Sequence, residues 1–203
     1  MRNIVSINSN WFFSKEATAV PETLCTDWEA VNVPHCWNAV DGQDGGNDYW
    51  RGTAYYAKTI TKAELPEAAH YYLEIQGANS SADVYLNGAH MAHHDGGYST
   101  WRVDLAEVLA EENLLVIAVD NAANDRVYPQ MADFTFYGGL YRNVNIIAVS
   151  ESHFDLDYYG TPGIKVTPVM EDADAKTEVE VFLTNAKEGQ FIRYTLLNKE
   201  GKV

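Results

Sequence analysis

The sequence predicts an all-β fold of the sandwich or barrel kind, on three observations. Between residues 54 and 149 short runs rich in β-branched and aromatic residues recur with turn residues between them: AYYAKTITK, YYLEIQG, ADVYLNGAHMAHH, NLLVIAVDN and LYRNVNIIAV. Aromatics make up 12% of the 203 residues, with 13 tyrosines and 5 tryptophans, types that pack well on a pleated surface. Helical periodicity is confined to TWRVDLAEVLAEE, which has room for one turn, Leu105 to Leu109, with Asp104 as its cap.

In chain order, the first part is the least regular. Residues 14–53 are rich in Pro, Gly, Asp and Trp, and NAVDGQDGGNDYWRG has too many glycines and polar residues for a regular element. A long loop is expected there. Long loops in compact domains are more often functional than accidental, because an ordered loop must be held by contacts that offset its entropy. The recurring runs then follow as strands. Asn87-Gly88 stands between alternating residues, and a two-residue turn wants positive φ at both central positions, so a tight hairpin is predicted there. After Val149, GIKVTPVM, TEVEVFLTNA and QFIRYTLLNK read as three more strands, and EGKV stands where a turn would feed a fourth. An immunoglobulin-like sandwich closes with about seven strands. The expected organisation is one domain over 1–150 and an incomplete immunoglobulin-like sandwich over 151–203, in a chain that is a fragment of something longer.

The balance of 14 basic against 29 acidic residues gives a net charge of -15, which repels a phosphate backbone or an anionic membrane. Neither is expected as a partner. No apolar run approaches the roughly 20 residues that span a bilayer. MRNIVSINSNWFF lacks the apolar core and small-residue cleavage site of a signal peptide. The expected compartment is cytoplasmic, or periplasmic or secreted if a signal has been removed. Cys25 and Cys36 are too few and too loosely placed for a disulfide framework or metal knuckle and read as free thiols.

Several constellations invite chemistry. Asp41, Asp44 and Asp48 in DGQDGGND offer oxygens to a hard cation, but the spacing fails the calcium-loop pattern and a solvated loop is the simpler reading. His90, His93 and His94 suggest a metal. Strand alternation, however, puts His90 and His94 on one face and His93 on the other, so they read as hairpin surface residues. No nucleophile elbow, phosphate loop or dinucleotide fingerprint is present. What remains is Asp133 beside Phe134, Phe136 and Tyr137, and the loop carrying Asn47, Asp48, Tyr49, Trp50 and Arg51. A carboxylate accepts two hydroxyl hydrogen bonds, an amide donates and accepts, and an aromatic ring covers the C–H face of a pyranose. These are the groups a neutral sugar needs. On residue type alone the favoured reading is the plainer one, in which Asp133 would cap a turn and the aromatics would be core.

Four stretches carry a family resemblance. VPHCWN, the loop to DYWRGTAYYAKTI, VYLNGAHMAHHDGGYSTWRVDL and DFTFYGGLYRNVNI match in order and spacing the N-terminal sugar-binding domain of family-two glycoside hydrolases, and this sequence resembles it over residues 1–150. MADFTFYGGLYR looks most like the β-galactosidases of that family and less like its β-glucuronidases or β-mannosidases. The resemblance implies a jelly-roll β-sandwich, followed in the family by an immunoglobulin-like sandwich and a (β/α)8 barrel. That barrel carries the two glutamates of a retaining mechanism, with carboxyl groups about 5 Å apart. Neither glutamate lies in this chain, so it is expected to be inactive alone.

The resemblance also implies residue roles. Asp133 matches by position the aspartate that, in the family's β-galactosidases, contacts galactosyl hydroxyls and a sodium ion, and Asn47 is the best match to its companion asparagine. The implied sugar-binding set is Asp133, Asn47, Asp48, Trp50 and Phe134, with Asp133 also the metal ligand. Sodium and magnesium are expected only in the full-length enzyme. Where some members carry tryptophan and arginine two and three places after that aspartate, this chain has Thr135 and Phe136, a departure that bears on the sodium site. Arg142 reads as a strand arginine paired inside the domain. The implied partners are a β-galactoside or related sugar, the remaining domains of the parent chain and, in a homo-oligomer, further copies of it. The alternatives are an autonomous carbohydrate-binding module and a β-glucuronidase-like parent.

Overall fold

The computed structural model describes residues 2–39, 49–130, 132, 136–171 and 174–203. The first ten strands are β1 (Asn3–Ser6), β2 (Trp11–Ser14), β3 (Glu29–Val31), β4 (Thr53–Thr61), β5 (His70–Ile75), β6 (Ser81–Leu86), β7 (Ala89–Asp95), β8 (Trp101–Asp104), β9 (Glu112–Asp120) and β10 (Val144–Val149). They form two antiparallel sheets, in the orders β1-β10-β5-β8 and β3-β2-β4-β9-β6-β7. The all-β prediction holds. One short 3-10 turn, Lys62–Glu64, is the single helical element among the described residues. The stretch read as a helical turn closes as one: the Leu109 amide donates to the Leu105 carbonyl at 2.9 Å, and Asp104 caps the Ala106 amide at 2.8 Å.

Period-two alternation decides what each strand buries. On β5, Tyr71, Leu73 and Ile75 face the core; on β9, Leu115, Ile117 and Val119 do; on β10, Val144, Ile146 and Ala148 do. These side chains interlock with Trp11, Phe13 and Tyr56 from β2 and β4. Fully burying each of the valine, leucine and isoleucine side chains among them contributes about 1.5–3 kcal/mol. Polar atoms taken inside are satisfied locally: the Trp11 indole donates to the Ile7 carbonyl at 2.7 Å.

β10 is buried on both faces, which alternation alone does not predict. Its outward residues Ile147 and Val149 pack with Tyr72 under Leu156, so the segment after the strand folds back over the four-stranded sheet. Arg102 fixes that fold-back. Its guanidinium donates to the carbonyls of Leu156 at 2.9 Å and Thr161 at 2.8 Å and pairs with Glu74 at 2.8 Å. Burial alone pushes the Glu74 carboxyl up, but hydrogen bonds from Asn145 and Arg102 outweigh it and hold the group below its usual range.

The Asn87-Gly88 turn has φ of 52° and 81°, the double positive value a two-residue hairpin needs. The pairing slips one residue further along: Val84 faces Ala92 and Tyr85 faces His90, leaving Met91 as the extra residue of a β-bulge.

Beyond Val149 the strands are β11 (His153–Phe154), β12 (Ile164–Glu171), β13 (Asp174–Val181) and β14 (Leu183–Thr184), paired as β11–β14 and β12–β13. Two of the three strands expected here form. QFIRYTLLNK does not, and Phe191, Tyr194 and Leu196 are exposed. A β pattern becomes a strand only where a sheet edge pairs it and an opposing layer buries it, and among the described residues this stretch is paired with no strand.

Candidate functional site

The register Thr53↔Asp120↔Ser81 aligns the start of β4, the end of β9 and the start of β6 at one end of the sandwich. Four connecting segments meet just outside it: residues 35–39, 49–52, 121–130 and 136–142. The first and last run side by side, with the His35 amide on the Leu140 carbonyl at 2.7 Å and the Trp37 amide on the Gly138 carbonyl at 3.1 Å. This contact explains the Gly-Gly pair. A Cβ on Gly138 would lie 2.3 Å from Asn38 Oδ1 and 2.4 Å from the Trp37 ring. Gly139 has φ +110°, and a Cβ there would lie 2.4 Å from the Tyr56 hydroxyl.

Two buried asparagines join these segments. Asn38 is fully buried; its Oδ1 accepts the Gly138 amide at 2.9 Å and its Nδ2 faces the Trp50 carbonyl at 3.4 Å. Asn121, 8% exposed, donates from Nδ2 to the same carbonyl at 2.9 Å and accepts the Gly52 amide on Oδ1 at 2.9 Å. The two side chains face each other, Nδ2 of Asn121 lying 3.4 Å from Oδ1 of Asn38. Arg51 adds long contacts to the carbonyls of Asn121 and Gln130, at 3.3 and 3.5 Å. Beside them, the buried Gln130 Nε2 has no partner among the described residues and borders a cavity of about 20 Å³, room for one water.

An aromatic layer lies beneath. Trp37 stacks on Phe13 and meets Trp50 edge-on at 5.5 Å, and Tyr56 shares a 2.8 Å hydrogen bond with His35 Nδ1. Burial pushes the Tyr56 phenol far up and the His35 imidazole down, so both are neutral near pH 7. On the rim, Tyr137 stacks on Tyr141, whose hydroxyl donates to the Gly97 carbonyl.

Of the residues named from sequence, Asp133, Phe134, Asn47 and Asp48 lie outside the described residues, as do Asp41 and Asp44. Trp50 is half-buried: its ring packs against Trp37 and carries the Lys15 ammonium at 5.5 Å, and its carbonyl is held by Asn121. Arg142 is paired inside the domain as expected, but not from a strand. It is exposed ahead of β10, donates to the carbonyls of Tyr98 and Gln76 at 2.8 and 3.3 Å, and lies over the Tyr141 ring. The histidine faces also differ from expectation. The bulge at Met91 adds a residue, so His90 and His93 reach the same oxygen of Asp83, at 2.8 and 3.0 Å, while His94 stacks on Trp101. The residues that sequence reasoning missed are Asn38 and Asn121. Both lie in stretches that stand out in the sequence, VPHCWN and LLVIAVDN, but nothing local in either marks the two amides as partners.

Among the described residues no three His, Cys, Asp or Glu side chains converge to hold a metal ion. No helix among them is long and apolar enough to cross a membrane. Cys25 is a free thiol.

The family profile described as glycosyl hydrolase 2 galactose-binding domain-like matches residues 39–153. A β-glucuronidase of Bacteroides fragilis is 30% identical over 187 residues, covering 91% of this chain and 26% of its own. A β-galactosidase of Thermoanaerobacter pseudethanolicus is 23% identical over 218 residues, covering all of this chain and 28% of its own. Among solved structures, an FMN-binding β-glucuronidase from Facaelibacterium prausnitzii L2-6 is 42% identical with a TM-score of 0.81, over 93% of this chain and 29% of that one. The chain spans about a quarter of the length of the curated relatives it matches.

Proposed function

Because this chain belongs to glycoside hydrolase family two, matched through its galactose-binding-like domain, we propose that it supplies one wall of the sugar site of a longer retaining β-glycosidase. The observation that carries the reading is the junction at Asn38. There the stems flanking Asn47–Asp48 and Asp133–Phe134 meet at one end of the sandwich, with Gly138 held on Asn38 at 2.9 Å. In this reading Asp133, Asn47 and Asp48 bind sugar hydroxyls away from the anomeric carbon, and Trp50 and Phe134 form apolar backing. A (β/α)8 barrel elsewhere in the parent brings the two catalytic glutamates. Contacts remote from the reacting carbon raise kcat when part of their binding energy orients the sugar toward the transition state. A sodium ion at Asp133 belongs to the same reading, and no step depends on it. The hairpin β12–β13 is then part of an immunoglobulin-like sandwich completed by other strands, and the parent is an oligomer of a cytoplasmic or exported enzyme.

For the substrate, the 42% identity to a β-glucuronidase favours a β-D-glucuronide. A β-D-galactoside is the second reading, favoured by the MADFTFYGGLYR stretch and by the β-galactosidase that aligns along the whole chain. The test is kinetics of the full-length enzyme on p-nitrophenyl β-D-glucuronide and β-D-galactoside, with Asp133→Ala beside it. The expected result is a preference for the glucuronide and a fall in both kcat and affinity in the variant. Unchanged kinetics in Asp133→Ala would remove the assigned role. Saturable sugar binding by residues 1–203 alone, lost in Asp133→Ala, would favour an autonomous module instead, since one wall of a site gives weak affinity.

A further inference from the structure

We propose that Asn38 and Asn121 are positioning residues: a buried amide clasp that ties together the stems 36–39, 49–52 and 136–139, which flank in sequence the residues assigned to the sugar. The placement rests on the proposed function, but the clasp is defined by geometry alone. Asn38 stands just before the first segment and Trp50 just after it, and both asparagines connect to the Trp50 carbonyl. Asn38 Nδ2 faces that oxygen at 3.4 Å and Asn121 Nδ2 donates to it at 2.9 Å. Asn38 Oδ1 holds Gly138, which follows the second segment, at 2.9 Å, and Asn121 Oδ1 holds Gly52 at 2.9 Å. Two side chains, 83 residues apart in sequence, thereby tie both stems to the end of β9.

Burial makes the clasp sensitive. A buried amide that loses its partner costs its full desolvation, because water cannot replace the bond. Asn38 Oδ1 takes the Gly138 amide and faces Asn121 Nδ2, so it sits between the two stems. The absence of a Cβ at Gly138 lets that amide approach, since a methyl group there would overlap Asn38 Oδ1 at 2.3 Å. Loss of Asn121 removes the shorter bond to the Trp50 carbonyl and the bond to Gly52, whereas loss of Asn38 removes the bond to Gly138, the longer contact to Trp50 and the acceptor that faces Asn121. Displacements on the scale of 1 Å at groups that orient substrate cost up to about a hundredfold in rate.

The molecule contains its own control. Asn113, 3% exposed, is the second residue of the strand that Asn121 follows, so the two lie at opposite ends of β9. It makes a comparable junction there, donating to the carbonyls of Ala110 at 2.7 Å and Ile60 at 3.1 Å and accepting from Asn87 at 3.0 Å. Asn113→Ala removes a buried amide of the same kind at the end of β9 away from the stems.

The experiment compares Asn38→Ala, Asn121→Ala and Asn113→Ala in the full-length protein by amide hydrogen exchange and by kinetics on the two p-nitrophenyl glycosides. Exchange is read over peptides covering 36–39, 49–52 and 136–139. Asn38→Ala is expected to speed exchange about tenfold or more in all three, Asn121→Ala in 49–52 first, and Asn113→Ala in none of them. Kinetically, Asn38→Ala and Asn121→Ala are expected to lower kcat/KM about tenfold or more, with Asn113→Ala within about twofold of wild type. If Asn38→Ala does not fold, the Asn121→Ala pattern decides. Equal exchange in the Asn121 and Asn113 variants, or a change confined to one stem in Asn38→Ala, overturns the clasp. A wild-type enzyme inactive on both glycosides overturns the proposed function instead, and the exchange pattern then decides for or against the clasp by itself.

Discussion

Residues 2–149 and residues 164–203 carry the same kind of sequence and reach different states. Both are built from short runs of alternating apolar and polar residues. In the first region the alternation is resolved into two facing sheets, and Trp11, Tyr56, Leu73 and Ile117 are fully buried. In the second, β12 and β13 pair over eight residues, yet Val166 and Met170 stay exposed, and QFIRYTLLNK pairs with nothing described. The difference teaches that alternation specifies which residues would face a core but not whether one exists. A two-stranded hairpin has no second layer, and a two-stranded sheet alone is marginal in water. Between the regions, residues 153–163 belong to the sandwich, because Leu156 covers the outer face of β10 and Arg102 holds them there.

The largest expected effect breaks that connection. Arg102→Met leaves Glu74, 7% exposed in its side chain, without its guanidinium and frees the carbonyls of Leu156 and Thr161. Removing one partner of a buried pair costs about 3–5 kcal/mol. Urea denaturation of the chain checks it, and the double variant Glu74→Leu/Arg102→Met should recover most of the loss. The effect has a pH signature. Glu74 is depressed in the folded state, so its contribution is present above its ordinary value of 4.5 and is lost as pH falls through the folded value. The gap between wild type and Arg102→Met should therefore narrow below that pH; a gap that stays constant down to about pH 3 would show that packing, not the ion pair, carries the loss.

A second pair of substitutions measures the two regions directly. Leu73→Ala empties a fully buried site between the sheets and is expected to cost about 2–5 kcal/mol. Val166→Ala, at 58% exposure on β12, should stay within about 0.5 kcal/mol. Comparable losses in the two variants would mean that the hairpin buries its apolar face after all.

How much of this was legible in the sequence follows from the range of each interaction. The Asn87-Gly88 hairpin depends on two adjacent φ values and could be read from two residues. The long strands β4, β5, β6 and β9 were legible from alternation. β1, β2, β3 and β8, three or four residues each, were not, because so short a run does not establish a period. The bulge at Met91 escaped as well: one extra residue reverses the facing of everything after it, so His93 joined His90 on Asp83 against the alternation. The candidate site divides in the same way. DFTFYGG drew attention by its composition, whereas the clasp depends on Asn38 and Asn121 meeting across 83 residues, and no local pattern encodes a contact of that range.

Gly138→Ala tests the part of the site that composition did single out. The added methyl meets Asn38 and Trp37, both buried, so it cannot be accommodated by a flexible tip. Overpacking of this kind is expected to cost about 1–3 kcal/mol by thermal denaturation. Gly189→Ala, where a Cβ meets nothing within 4 Å but φ is +85°, should cost about 1 kcal/mol from backbone strain alone. Equal losses at the two positions would reduce the role of Gly138 to backbone conformation.

The smallest effect separates the two hairpins, β6–β7 and β12–β13. On the first, His93 lies between two carboxylates, with Nδ1 at 3.0 Å from Asp83 and Nε2 at 3.2 Å from Asp95. His90 shares Asp83, and Arg126 and Ser81 hold Asp95. Burial alone lowers the His93 pKa, but the hydrogen bonds that the imidazole donates to Asp83 and Asp95 outweigh it and raise the group above 6.5. A histidine raised by folding contributes fully below its unfolded value and loses that contribution as pH rises through the folded one. Amide exchange in β6–β7, with its intrinsic pH dependence divided out, should therefore accelerate modestly between roughly pH 6 and 8. β12–β13 contains no histidine, so it should show no such step. His93→Ala should abolish the step in β6–β7 and leave β12–β13 untouched. If the wild-type hairpins instead follow each other across the range, the carboxylates around His93 add nothing to the edge of the sheet, and the burial of Val84 and Leu86 accounts for its stability without them.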